Sequence, residues 1–138
     1  MTGHRRYIHP ENWPSASGYS HGVSASGRTI FVSGQVGWNP RTSRFESDDF
    51  GLQAEQALRN VVDVLAAGGA SPSHIMRMTW YVTDRAAYMA ARPALAGIYR
   101  SLIGRHFPAM SVVIVKGLLE ERALLEIEAT AVVPEPGE

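Results

Sequence analysis

The segment from residue 123 to residue 132, ALLEIEATAV, alternates between two sets of side chains and predicts a strand with two unlike faces. Successive side chains of a β-strand point to opposite sides of the sheet. One face holds the carboxylates of Glu126 and Glu128. The other is apolar throughout and suits packing beneath helices; it consists of Ala123, Leu125, Ile127, Ala129 and Ala131. The chain must therefore build a sheet that has one covered face.

Two helices are predicted to provide that cover. Ser47, Asp48 or Asp49 can cap a helix over residues 50–67, where apolar residues recur at helical spacing. The pair Gly68-Gly69 is typical of its end. Asp84 is a favoured N-cap residue, and a second helix is predicted from there to about residue 103, with Pro93 inside it. Strands are predicted at residues 21–25, 29–33, 74–83, 111–115 and 123–132.

The order of these elements, ββαβαββ, favours an α+β fold with a mixed sheet and both helices on one face. Residues 26–28, Ser-Gly-Arg, predict a hairpin between the first two strands. Residues 1–17 lack periodicity and are interpreted as an irregular N-terminal arm, and residues 133–138 as a frayed tail. Residues 1–138 are therefore expected to form a single domain.

Composition excludes several classes of function. Thirteen basic residues balance thirteen acidic ones, so the formal net charge of zero disfavours a nucleic acid partner. The absence of cysteine excludes disulfides and thiolate chemistry, and the five histidines lack metal-ligand spacing, so neither a metal nor a cofactor is expected. No apolar run is long enough to cross a membrane and no secretory signal is evident, which favours a cytoplasmic protein.

The second face of the sheet is expected to need its own cover. Two strands leave little polar surface on either face, whereas two helices cover only one; their apolar residues are Met76, Met78, Trp80 and Val82 in the first and residues 112–115 in the second. Self-association is the simplest way to bury the remaining face, and it would place two carboxylates near a subunit interface. Glu126 and Glu128 then have two interpretations: solvated partners for Arg77 and Arg105, or a carboxylate that moves protons in an inter-subunit cleft.

Three other positions also have two interpretations each. Gly34, in FVSGQ at residues 31–35, permits either a bulge or the close approach of a ligand to the backbone at Ser33-Gly34. Tyr19 anchors the N-terminal arm or forms a pocket wall. Trp80 is either a core or interface residue or part of a stacking platform, and the first is favoured because no basic run accompanies it.

Taken together, several segments make the chain resemble the Rid family, the YjgF-type reactive-intermediate imine deaminases also described as endoribonuclease L-PSP-like. The likeness extends from about residue 18 to residue 132. Each motif alone is weak evidence for the family, but the order in which the motifs occur is specific to it. The motifs are Tyr19-Ser20, IFVSGQ at 30–35, Asn39-Pro40, QAEQALRN at 53–60, Val-Thr-Asp at 82–84, Phe-Pro-Ala at 107–109 and Glu-Ile-Glu-Ala at 126–129.

The resemblance implies a chorismate-mutase-like fold that assembles as a homotrimeric barrel with ligand clefts between subunits. It also implies hydrolysis of 2-imino or enamine acids to 2-keto acids and ammonia without metal or cofactor. The family pocket uses the residues matching Tyr19, Ser33 and Gly34, an arginine that binds the substrate carboxylate, and the glutamate matching Glu126, which positions the attacking water.

Where the family has that arginine, this chain has Met110. A thioether cannot pair with a carboxylate, and the loss should weaken binding of a small 2-imino acid on the order of a thousandfold. One alternative is a different substrate, with Met110 and Trp80 as apolar wall and Arg77, Arg92 or Arg105 taking the anion; some members deaminate aminomuconate-type compounds. The others are a non-catalytic small-molecule binder and, with less support, an endoribonuclease or translation inhibitor.

Overall fold

The computed structural model describes residues 4–136, which form two sheets and two α-helices. A short 3-10 turn at Pro72–His74 connects the first helix to the strand that follows it. In chain order the elements are β1 (Arg5–Ile8), β2 (Gly22–Ala25), β3 (Arg28–Val36), α1 (Phe50–Ala67), β4 (Ile75–Val82), α2 (Arg85–Leu102), β5 (Ala109–Ile114) and β6 (Leu125–Val133).

The larger sheet has the strand order β3-β6-β4-β5. β6 runs antiparallel to both of its neighbours, whereas β4 and β5 are parallel, so the predicted mixed sheet and α+β class are confirmed. The alternation seen in the sequence decides which face of β6 is buried. Its apolar residues on that face are at most 4% exposed and belong to one core with residues of both helices; they are Leu125, Ile127, Ala129 and Ala131. Ala123, which precedes the strand, is also buried.

Both helices begin at the capping residues that the sequence suggests. The Asp49 carboxylate accepts a hydrogen bond from the Leu52 amide at 2.9 Å and caps α1. Asp84 caps α2 in the same way. Pro93 lies inside α2 without ending it. The predicted extent of both helices is confirmed, and both pack on the same face of the sheet, since Phe50 of α1 and Leu95 of α2 share one buried cluster.

The N-terminal segment differs from its prediction. Arg5–Ile8 forms β1 and pairs antiparallel with β2 in a separate two-stranded sheet, so the element order is βββαβαββ and the irregular arm was wrong for these residues. The predicted hairpin at residues 26–28 was also wrong, because β2 pairs with β1 and β3 pairs with β6. β2 and β3 are separated at Gly27, which has a φ of +142° and lies against the end of β6. A Cβ added there would lie 2.1 Å from the Val133 carbonyl oxygen, so the position requires glycine.

The C-terminal end agrees only in part with the predicted frayed tail at 133–138. Val133 is the last residue of β6, and residues 134–136 are in neither a helix nor a strand. Residues 137–138, like residues 1–3 of the predicted arm, lie outside the described residues. Within residues 4–136, neither α-helix has the length and apolar character that crossing a bilayer requires.

Candidate functional site

The face of the sheet that the helices leave uncovered, called here the helix-free face, carries both carboxylates of β6. Glu126 lies opposite Tyr81 of β4, and Glu128 lies opposite Thr79. Directly opposed residues of antiparallel strands share a face. Glu126, Glu128 and Tyr81 are all partly exposed. The predicted placement of the two glutamates on one face is confirmed.

Glu126 is held against a bulge in β3. The register between β3 and β6 shifts between Val32 and Gln35, which leaves Ser33 and Gly34 as the inserted residues of a β-bulge. A Cβ added at Gly34 would lie 1.9 Å from Oε2 of Glu126 and 2.6 Å from its carboxyl carbon. The Glu126 carboxylate therefore occupies space that only glycine leaves open, directly on the backbone at position 34.

The two carboxylates of β6 have different surroundings. The Tyr81 hydroxyl donates a hydrogen bond of 2.9 Å to Oε2 of Glu128, and this bond raises the pKa of Tyr81. Within residues 4–136, Glu126 has neither a hydrogen bond nor an ion pair. Both of its oxygens are therefore available to accept a proton or to orient a water molecule.

A second region lies on the opposite face, in a cavity of about 590 Å³ under α2, called here the α2 cavity. Five of the residues suggested by the sequence line it: Tyr19, Trp80, Arg92, Arg105 and Met110. Met110 is paired with Met78 across the parallel strands β5 and β4, which places both on the helix-covered face. Met110 is partly buried and packs against the core while it lines the cavity.

Aromatic rings form much of the cavity wall. Trp80 is 3% exposed, and its ring meets that of Tyr88 edge-on with centroids 6.3 Å apart. The rings of Tyr99 and Phe107 are stacked, with centroids 6.0 Å apart and an interplanar angle of 7°. Burial raises the pKa of Tyr99, so this phenol stays neutral and donates its hydrogen to the His106 carbonyl oxygen at 2.7 Å.

The α2 cavity is also cationic. Arg92 and Arg100 of α2 and Arg105 of the following loop line it, and no aspartate or glutamate among residues 4–136 does. In the described part of the chain, these three guanidinium groups form no hydrogen bond or ion pair with another residue. Of the arginines suggested as substitutes for the family arginine, Arg92 and Arg105 lie here, whereas Arg77 is on the helix-free face opposite Thr130.

Sequence reasoning missed several of the lining residues. Arg100, Tyr88, Tyr99 and Phe107 were not suggested as parts of a site. A signal existed in α2, where the cavity-lining residues recur at helical spacing and so share one stripe of the helix. The stripe consists of Tyr88, Arg92, Leu95, Ala96, Tyr99 and Arg100.

The residues suggested by the sequence therefore fall into two groups that one chain does not bring together. Tyr19, Trp80, Arg92 and Met110 meet in the α2 cavity, while Ser33, Gly34 and Glu126 meet on the helix-free face; the sheet lies between them. Each group has a complementary chemical capacity. The first can bind an anion with an apolar body, and the second presents an unpaired carboxylate beside exposed backbone.

Side chains suited to metal binding are not grouped in this structure. Across residues 4–136, no three histidine, aspartate or glutamate side chains are arranged so that they could hold an ion. The reaction without metal or cofactor that the sequence suggests stays a prediction and is tested by adding a chelator to an activity assay.

The chain is similar to a known protein family, to curated relatives and to solved structures. The family described as Endoribonuclease L-PSP matches residues 10–133. The human 2-iminobutanoate/2-iminopropanoate deaminase is 31% identical over 93% of this chain and 90% of its own length. Protein DfrA of Myxococcus xanthus is 34% identical over 93% of this chain and 95% of its own. The crystal structure of YyfB from Yersinia pestis, a protein of the conserved Rid family, superimposes with a TM-score of 0.83 at 36% identity, covering 94% of this chain and 99% of that one.

Proposed function

The chain belongs to the Endoribonuclease L-PSP family, the Rid or YjgF-type proteins, and on this premise we propose that it hydrolyses an imine or enamine acid and releases ammonia. The observation that carries the proposal is the Glu126 carboxylate, which is seated on the backbone of Gly34 and has no partner among residues 4–136. A carboxylate in that state can act as a general base. The similarity to a human protein named as a 2-iminobutanoate/2-iminopropanoate deaminase supports this choice of reaction.

In the proposed reaction Glu126 accepts a proton from water as the water oxygen bonds to the carbon of the C=N group. The addition yields a tetrahedral carbinolamine. Glu126 delivers this proton to the nitrogen and then carries the proton of the new hydroxyl group to the same nitrogen, so that ammonia leaves as the C–N bond breaks and the C=O bond of the keto acid forms. Atoms balance, since one imine and one water give one ketone and one ammonia. Glu128 is less suited to this role, because its carboxylate already accepts the Tyr81 hydroxyl.

The active site is proposed to be completed between subunits of a homotrimer. The sheet separates Glu126 from the α2 cavity within one chain, so a single substrate meets both only if neighbouring copies supply one part each. An exposed apolar surface on the helix-free face supports association, because Phe31 is 79% exposed and Val113 is 41% exposed there. The assembly is expected to have about three times the 15.1 kDa mass of the chain by light scattering; a monomer would contradict it.

The substrate is proposed to be other than a small 2-imino acid. Met110 provides an apolar surface at the position of the family arginine, and Arg92 is available in the same cavity to bind the carboxylate. The substrate would thus bind with its anionic group displaced toward α2. A cytoplasmic location for this activity stays a prediction.

Ammonia release measures the proposed activity directly. A panel of 2-imino acids can be generated in situ by oxidising alanine, phenylalanine, tryptophan and glutamate with an amino acid oxidase. We expect faster ammonia release from one of the larger imines in the presence of the protein, with no loss of rate when EDTA is added. Binding of such compounds without turnover would show a non-catalytic binder, and cleavage of RNA by protein freed of ribonuclease would show a nuclease; either result contradicts the proposal.

A further inference from the structure

All five histidines of the chain lie in the N-terminal segment, residues 4–21, or against it. Two of them belong to the body of the fold. His74 meets His4 edge-on, with ring centroids 6.3 Å apart, and His106 is hydrogen-bonded to the Tyr7 hydroxyl. Histidine is the side chain that ordinarily changes its charge near neutral pH, so the attachment of this segment is the place where the chain can respond to mild acid. The three histidines of the segment itself are His4, His9 and His21.

β1 depends on side-chain contacts for its position. Among residues 4–136 it pairs only with β2, and a two-stranded sheet alone is marginally stable in water. The Arg5 guanidinium donates to the Ser73 carbonyl oxygen, and the Tyr7 hydroxyl donates to Nδ1 of His106. His106 in turn donates from Nε2 to the Ile75 carbonyl oxygen. Both attachments of β1 therefore end on the 3-10 turn or on the first residue of β4.

A backbone amide requires His74 to be neutral. Nδ1 of His74 accepts the N–H of Ser71 at 3.0 Å and so closes the capping box of the 3-10 turn. An amide nitrogen can only donate, so this bond needs an unprotonated Nδ1. A proton there would set two N–H groups against each other. It would open the turn whose Ser73 carbonyl oxygen binds Arg5.

The surroundings of both buried-side histidines disfavour a positive charge. Burial is the main cause of a lowered pKa at His74, followed by repulsion from His4, Arg5 and Arg28. Burial also lowers the pKa of His106, and Arg5 and His74 act in the same direction. Within the described residues, neither histidine has a carboxylate in an ion pair. Detachment of β1 would bring both pKa values back toward the ordinary 6.5, so mild acid favours the detached state.

The loop after β1 connects this strand to the wall of the α2 cavity. His9 follows β1 directly and lies against His21, with ring centroids 5.3 Å apart. His21 meets Tyr19 edge-on at 5.5 Å, and Tyr19 lines the cavity. At the other end of the loop, the Ser20 amide donates to the Pro108 carbonyl oxygen at 3.0 Å. Detachment of β1 would thus remove one of two supports on the Tyr19 side of the cavity.

From these contacts we propose that β1 is a pH-sensitive strap: neutral His74 and His106 hold it in place, and their protonation in weakly acidic solution detaches it and loosens the loop that carries Tyr19. That the strap regulates substrate binding rests on the proposed function. In that case KM should rise as the pH falls, and the rise should be smaller in His74→Gln. Detachment itself rests only on the contacts of β1.

Hydrogen exchange measured by mass spectrometry tests the strap, because it reports on separate segments of the intact protein. After correction for the intrinsic effect of pH, the rate for residues 5–8 should rise at least about tenfold between about pH 7.5 and about pH 5.5, and the rate for α1 by less than about twofold. In His74→Gln the side-chain carbonyl oxygen can accept the Ser71 amide at either pH, so the rise at residues 5–8 should be below about threefold.

His9→Gln is the matched control, since His9 is exposed and its ring is hydrogen-bonded to the Trp13 carbonyl oxygen of its own loop. It removes a histidine from the same segment and should keep the wild-type rise. No rise in the wild type, an equal rise in His74→Gln, or an equal rise in α1 would overturn the proposal. The measurement needs no substrate, so its failure would leave the proposed function intact, and an absence of imine turnover would leave the strap standing.

Discussion

The two faces of the central sheet differ in how they use the same strand. On the helix-covered face of β6, Leu125, Ile127 and Ala131 are fully buried, whereas on the helix-free face Glu126 and Glu128 remain partly exposed. Burial of one face supplies the hydrophobic stabilisation of the fold. The other face is consequently free to carry carboxylates that would be costly in a core.

The charges of the two regions also differ in sign. In the described part of the chain, arginines but no acidic residues line the α2 cavity, and the glutamates of β6 lie on the helix-free face of the sheet. A formal net charge of zero for the whole chain conceals this separation. Under the proposed function, substrate binding and proton transfer would lie on opposite sides of one sheet and would be combined by assembly.

The largest expected effect concerns Glu126. Glu126→Gln keeps the shape of the side chain but removes the base, and turnover should fall by about 10² to 10⁴-fold. Glu128→Gln is the matched control; its amide oxygen can still accept the Tyr81 hydroxyl, and turnover should be largely retained. Steady-state rates of ammonia release measure both. Loss of activity in Glu128→Gln with full activity in Glu126→Gln would mean that the wrong carboxylate was chosen.

A second prediction displaces the same carboxylate without changing it. Gly34→Ala puts a methyl group where Oε2 of Glu126 lies, so the carboxylate must rotate away and turnover should fall by about 100-fold. The cost in stability should be small, because the displaced atoms are the far end of a flexible side chain. Gly97→Ala serves as control: a Cβ there meets nothing within 4 Å, and a helix position gains about 1 kcal/mol.

A third prediction concerns the cavity side. Met110→Arg introduces a guanidinium into the wall of the α2 cavity and should give about tenfold faster deamination of 2-iminopropanoate generated from alanine. Its free energy of unfolding should change by about 1 kcal/mol or less, since the arginine stem replaces the packing of Met110 and its head faces the cavity. Met110→Leu should leave the rate unchanged. A collapsed melting temperature without added activity would show that Met110 is a core residue only.

The smallest expected effect is a pH dependence of the melting temperature that arises from His106. Burial lowers the pKa of His106 from its ordinary 6.5, and burial acts in the same direction on His74. Below about pH 6.5 the unfolded chain therefore binds more protons than the folded chain, so stability present at higher pH is lost as the pH falls. The melting temperature should drop between about pH 7 and pH 5, and the drop should be smaller in His106→Gln. An equal drop would exclude His106 as a cause.

Features that depend on neighbouring residues were the ones that the sequence predicted well. The alternation in β6 predicted its buried face, Asp84 marked the start of α2, and Asp49 was one of three candidate caps of α1. These features were predictable because capping and side-chain periodicity involve residues only a few positions apart. The β1–β2 sheet was missed because Arg5–Ile8 pairs with residues far along the chain, and pairing at such distances has no local signature.

The composition of the site was predictable only in part for the same reason. The motifs indicated Glu126, Gly34 and Met110, but not that the sheet separates Met110 from the other two. That separation follows from the parallel register of β5 with β4, which a single sequence does not specify. Arg100 joins the cavity through the helical stripe of α2, a pattern that also describes an ordinary core-facing helix.

Mixing two inactive variants tests the central claim, that one active site combines the two faces of neighbouring chains. Glu126→Gln supplies an intact cavity, and the double variant Arg92→Ala/Arg100→Ala supplies an intact carboxylate. The two variants are unfolded together in equal amounts and refolded, so that they assemble at random into mixed trimers. About one quarter of the sites should then combine an intact cavity with an intact Glu126. The account predicts ammonia release at about that fraction of the wild-type rate; no activity above that of the separate variants would contradict it.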